Sequence, residues 1–158
     1  MSKINDLLAE YGESHQNPTN KLIHWICVPS IFFSIVGLIY SIPNGLLVDI
    51  LGNTWYSNWA AVALLVVFIY YVVLSIPLSI GMAGFGLLCI YLANTIAATF
   101  TYPMWLISII IFVVAWIGQF YGHNVEGKKP SFLKDVQFLL IGPAWLMHFI
   151  YRKVGIPY

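Results

Sequence analysis

Residues 22–40 read LIHWICVPSIFFSIVGLIY, and no aspartate, glutamate, lysine or arginine interrupts them. A helix over this stretch is roughly 28 Å long at 1.5 Å per residue, close to the ~30 Å of a bilayer's hydrocarbon core. Outward from it the same silence continues. No charged residue occurs from 22 to 48 or from 50 to 125, and Asp49 alone separates the two runs. The whole chain is 60% hydrophobic and 8% charged, where a soluble domain carries about a quarter charged residues. Such a chain has too few polar groups to cover a surface facing water. The 158 residues are read as a single integral membrane domain, an all-α polytopic helix bundle.

Turn signals divide the apolar text. The four expected spans are 22–40, 59–76, 82–100 and 104–121, separated at Ile42-Pro43-Asn44-Gly45, at Pro77 to Gly81 and at Thr101-Tyr102-Pro103. Residues 46–58, with tryptophans nearby, suit an interfacial loop. Before the first span, Ile4, Leu7, Leu8 and Tyr11 fall at helical spacing between acids, which predicts a short amphipathic helix lying on the membrane surface. After the last, residues 136–151 are short for a span and carry Gly142-Pro143 in the middle. Exposed broken backbone is not tolerated in lipid. With the N-terminus cytoplasmic, four spans leave Lys128, Lys129 and Lys134 inside, and a fifth would export Arg152 and Lys153 against the positive-inside tendency. A broken or re-entrant final helix avoids that. The two cysteines, Cys27 and Cys89, lie within apolar runs and read as small hydrophobes.

That topology gathers the histidines. His15 and His24 flank the start of the first span, His123 follows the fourth, and His148 reaches the same level if the last segment turns back. Asn17-Pro18-Thr19-Asn20 reads as a turn and helix start with Thr19 or Asn20 as N-cap. His123 and Glu126, three apart, share a helix face. Both address one metal, or the carboxylate orients the imidazole, or the pair is a plain helix end with Glu126 bound to Lys129 or Lys21. Gly118 and Gly122 permit close helix approach. Trp145-Leu146-Met147-His148 serves either as a further donor or as a buried histidine on a carbonyl. No basic stripe exists for nucleic acid. Asp49 is on the wrong side for a serine triad, and the adjacent-histidine boxes of membrane desaturases are missing. What remains is a nitrogen- and oxygen-ligated site suited to Fe(II), Zn(II) or Mn(II).

Two motifs carry a resemblance. His15, Asn20, Lys21, His24 and Pro29, followed a hundred residues later by GHNVEGKKP at 122–130, resemble the fungal 2-hydroxy fatty acid dioxygenases and their bacterial relatives over nearly the full chain. The resemblance implies an Fe(II)-dependent membrane enzyme that uses O2 to shorten a 2-hydroxy fatty acid by one carbon. In the fungal case this serves sphingoid-base breakdown at the endoplasmic reticulum; a bacterial member would sit in the inner membrane. It implies His15, His24 and His123 as ligands and Glu126 as the accompanying acid. Topology adds His148. Asn20 and Gln119 join Glu126 as orienting groups, and Lys21, Lys128 and Lys129 steer the substrate carboxylate. The chain departs from the family by Lys128-Lys129 in place of arginine and by Ser131 in place of alanine. A metal-dependent lipid hydrolase and a non-enzymatic scaffold or lipid-binding protein are the competing expectations.

Overall fold

The structure, a computed structural model, describes residues 3–127, 136 and 138–158. The described residues are all-α. They form α1 (Lys3–Gly12), α2 (Pro18–Tyr40), α3 (Gly45–Leu51), α4 (Trp59–Leu74), α5 (Ile76–Thr99), α6 (Met104–Val125) and α7 (Ile141–Val154). Three of them, α2, α5 and α6, are long and apolar enough to cross a membrane. Helix α4 has 16 residues, about 24 Å, and is shorter than the span expected at 59–76. Leu65, Val66, Val73, Ile80, Val114 and Ile117 are all more than half exposed, a surface that lipid rather than water must cover.

Helices α2 and α6 run antiparallel as the central pair. His24 near the start of α2 lies beside His123 near the end of α6, and Gly37 at the other end of α2 meets Ser108 and Met104. Small residues let the backbones approach. A Cβ placed on Gly118 would fall 2.6 Å from the Cys27 sulfur, and one on Gly122 would fall inside contact distance of Asn20 Oδ1.

The connection expected at Pro77 to Gly81 is instead the first turns of α5, which begins six residues earlier than read from sequence. Ser75 alone joins α4 to α5. It caps both, its backbone N–H bonding Tyr71 O and its Oγ accepting from the Leu78 N–H at 3.3 Å. Pro77 lies in the first turn, where its missing N–H costs nothing. The same logic applies to Gly142-Pro143. They open α7 at its N-terminus and do not break it. Residues 46–58 also contain the short helix α3.

The apolar face of α1 is buried against protein, not spread on lipid. Ile4, Leu8 and Tyr11 share a core with Ile141, Ala144 and Trp145 of α7 and with Tyr71, Leu78 and Met82. Just before α7, Leu139 packs on Ile31, Ala115 and Trp116, while Leu140 joins Phe32 and Val36. The Tyr71 hydroxyl donates to Leu140 O at 2.5 Å. The Tyr151 hydroxyl donates to Pro77 O at 2.7 Å and accepts from the Gly81 N–H at 3.0 Å, tying α7 to the start of α5. Lys128, Lys129 and Lys134 lie outside the described residues.

Candidate metal centre

Asn17, not Thr19 or Asn20, caps α2: its side chain accepts from the Thr19 N–H at 2.8 Å and the Asn20 N–H at 3.4 Å. Pro18 at the first helical position sets that boundary, because its fixed φ favours the helix start. His24 therefore sits in the second turn of α2. His15 lies in the link between α1 and α2, its backbone N–H bonded to Gly12 O at 3.0 Å.

The three histidines His15, His24 and His123 are 2%, 1% and 4% exposed. Their ring centroids are 4.1 Å apart for His15 and His24, 5.3 Å for His24 and His123 and 5.7 Å for His15 and His123. One ring nitrogen from each lies within 4.8 Å of the other two. Two of the rings are oriented from behind. His15 Nδ1 is 2.6 Å from Tyr11 O, and His24 Nδ1 is 2.9 Å from Asn20 O. A carbonyl only accepts, so each Nδ1 carries the proton and Nε2 keeps its lone pair. This is how proteins hold imidazoles for a metal, with the outer nitrogen bonded to a carbonyl. Three clustered imidazoles, two of them held this way, fit a divalent ion of borderline softness, Fe(II) or Zn(II) among them.

Glu126 stands beside this trio rather than in it. Its carboxylate accepts from the Gln16 N–H at 2.9 Å, the Asn17 N–H at 2.9 Å and Asn20 Nδ2 at 3.0 Å. Desolvation pushes its pKa up, but these bonds from Asn17, Asn20 and Gln16 outweigh it and hold the carboxyl below the usual carboxylate value. The acid at the end of α6 thus staples the start of α2. Asn20 is fully buried; it donates to Glu126 and to Ser14 O at 3.2 Å, while its own carbonyl holds His24. Gln119, one turn below His123, is 5% exposed, and its Oε1 has no hydrogen-bond partner among the described residues. Lys21, partly exposed, sits in the first turn of α2.

His148 is not brought to the trio. Its ring packs on Phe149 and its Nδ1 meets the Tyr158 hydroxyl. Burial and then the Arg152 charge hold its pKa below the usual histidine value. The residue of that segment which reaches the site is Trp145, one turn earlier, 5.3 Å from the His15 ring. Tyr11 stacks on His15 at 4.3 Å with 15° between planes and packs against Trp145 at 5.4 Å. By sequence Tyr11 is only an apolar position of α1. Its spacing of four before His15 was the available signal, since residues i and i+4 adjoin on a helix.

With this geometry in place, comparison with known proteins is direct. Residues 1–154 match the family model described as 2-hydroxy-palmitic acid dioxygenase Mpo1-like. The 2-hydroxy-palmitic acid dioxygenase MPO1 of Saccharomyces cerevisiae is 32% identical over 155 residues, covering 94% of this chain and 79% of the yeast protein. No solved structure matches the chain.

Proposed function

The chain belongs to the 2-hydroxy-palmitic acid dioxygenase Mpo1-like family, and from that premise we propose that it is an Fe(II)-dependent membrane dioxygenase shortening 2-hydroxy fatty acids by one carbon. The observation that carries the proposal is the burial of His15, His24 and His123 together at one end of an apolar bundle. His15 and His24, through Nε2, and His123 would hold the ion. His148 faces Tyr158 and is left out of the ligand set. Fe(II) bound there would supply one-electron chemistry toward O2.

The residues of the chain do the rest. Tyr11 O and Asn20 O fix two rings in the ligating tautomer. Glu126 locks the α1–α2 link to the end of α6, so the His15 ring and the His123 ring keep their relative placement. Tyr11 and Trp145 wall His15 with apolar rings and exclude water. The substrate's carboxylate and neighbouring hydroxyl sit at this rim, drawn by Lys21 and by Lys128 and Lys129, with the tail in the apolar interior. One stoichiometry needs no outside reductant. The bond between the carboxyl carbon and the hydroxyl-bearing carbon breaks. The former leaves as CO2, the latter becomes the new carboxyl, and O2 takes up four electrons to finish in that carboxyl and in water.

The bundle is read as multi-pass, with α2, α4, α5 and α6 crossing and α7 returning to the side it came from. Supporting this, α7 begins against Val28 and Tyr11 and ends against Pro77 and Gly81, all toward the histidine end. Arg152 and Lys153 then stay on the cytoplasmic face of a bacterial inner membrane or the endoplasmic reticulum. The test is anaerobic loading with Fe(II), addition of 2-hydroxyhexadecanoic acid labelled at its carboxyl carbon, and admission of O2. Label released as CO2 with an acid one carbon shorter is the expected result. Turnover with zinc and without O2 would favour a hydrolase, since an all-histidine trio also serves zinc. Neither metal nor turnover would leave a lipid-binding scaffold.

A further inference from the structure

One helical turn below the metal centre the bundle is hollow. Val28, four residues after His24, and Gln119, four before His123, line a cavity of about 20 Å³ floored by Phe138 and Leu139. That volume admits one water-sized guest. Gln119, whose buried Oε1 has no partner among the described residues, belongs to its wall. Leu139 also lines a second cavity of about 70 Å³ between α2 and α4, walled by Ile35, Val36, Ile39, Ala63 and other apolar residues. Phe32, Leu64 and Val67 line both this cavity and a wider one of about 250 Å³ between α4 and α5. From Val28 to Ile39 the path follows α2 for roughly 16 Å. Leu139 is the partition that separates the polar head of this path from its apolar remainder.

We propose that the substrate's acyl tail runs from the histidines past Leu139 into the α2–α4 cavity, with Gln119 Oε1 accepting from the substrate's hydroxyl at the top. The inference rests on the dioxygenase reading for the identity of the head. The tail follows from continuity. A head held by buried histidines at the rim has its tail pointing along the bundle, and the cavity next in line is entirely apolar. Leu139 must turn aside for the tail to pass, so it and Ala63 set which chain lengths fit. A buried glutamine oxygen without a partner is costly, and a substrate hydroxyl relieves that cost only when it sits one turn below the metal.

The experiment uses the full chain in lipid nanodiscs and 2-hydroxyhexadecanoic acid bearing a diazirine at its terminal carbon. Photolabelling is expected within 35–39 of α2 or 60–67 of α4, and unlabelled 2-hydroxyhexadecanoic acid should compete. Label confined to α6 or to the outer face of α5 overturns the path. Ala63→Phe, which fills the cavity, should lower the kcat/KM ratio of 2-hydroxyhexadecanoic to 2-hydroxyoctanoic acid by about tenfold or more, and Leu139→Ala should raise it. An unchanged ratio in both variants also overturns the path. Labelling reads binding alone. Label in the cavity without oxygen-dependent turnover therefore sinks the dioxygenase reading and keeps the path, and turnover with label elsewhere does the reverse.

Discussion

The α2–α6 seam and the α4–α5 pair are built on opposite plans. Along the first, glycines bring two backbones so close that a single added carbon at Gly118 or Gly122 would collide with Cys27 or Asn20. Polar groups then finish the seam, with Glu126, Asn20 and the N–H groups of Gln16 and Asn17 joined at its end. The second pair is joined by one serine, and a cavity of about 250 Å³ opens beside it. Ordinary contact is all that Gly86 makes there, a Cβ falling 3.4 Å from Leu64. The close seam sets the positions of His24 and His123, two of the three clustered histidines that could hold a metal ion. The loose pair leaves unfilled space beside α4, and Leu64 and Val67 of α4 line both that space and the smaller α2–α4 cavity proposed for the acyl tail.

The strongest break in this contrast is His24→Ala or His123→Ala. Each removes one of three nitrogens at the closed end of the seam, and metal analysis of the purified protein should show at least a hundredfold loss of affinity, beyond the 10–100-fold typical of outer-shell changes. Full metal content in either variant would end the case for the site. Next comes Gly122→Ala, whose methyl collides with the Asn20 side chain that donates to Glu126. Thermal unfolding in detergent should report about 1–3 kcal/mol of destabilisation, with weaker metal binding. Gly86→Ala, the matching change in the loose pair, should cost less than about 0.5 kcal/mol. Equal costs would erase the distinction.

Glu126→Gln sharpens the comparison more gently. It should weaken metal affinity about tenfold while leaving the site occupied at saturation. The native carboxyl has a lowered pKa, so its stabilising bonds are present above the ordinary carboxylate value and vanish as pH falls through the depressed folded value. Acid unfolding of the metal-free protein should show that limb, and Glu126→Gln should flatten it. The smallest effect belongs to His148→Ala, expected to leave metal content unchanged because its ring faces Tyr158.

The clustering of His15, His24 and His123 was legible in the sequence. Histidines at residues 15, 24 and 123 stand at the two ends of apolar runs, and an antiparallel pair must bring such ends together. His148 misled because its level was inferable but its direction was not. One turn away Trp145 takes the inward position, and nothing in the pattern Trp145-Leu146-Met147-His148 says which of the two rings faces the site. The prolines misled for a related reason. Pro77 and Pro143 read as breaks, yet a proline in a first turn sacrifices no helical bond, and only the neighbours reveal which case holds. Helix α1 was read correctly as amphipathic, but its oily face is satisfied by α7 as well as it would be by lipid.

By itself the order of residues determined the solvent. With charge absent from 22–48 and from 50–125, the runs are long enough for apolar helices that satisfy their own backbone polar groups in a bilayer, and the histidines fall at the ends of those runs. Only the tertiary structure decided which rings converge, which acid staples them and where the interior stays hollow. Those outcomes depend on helix rotation and on contacts a hundred residues apart, which hydropathy does not encode.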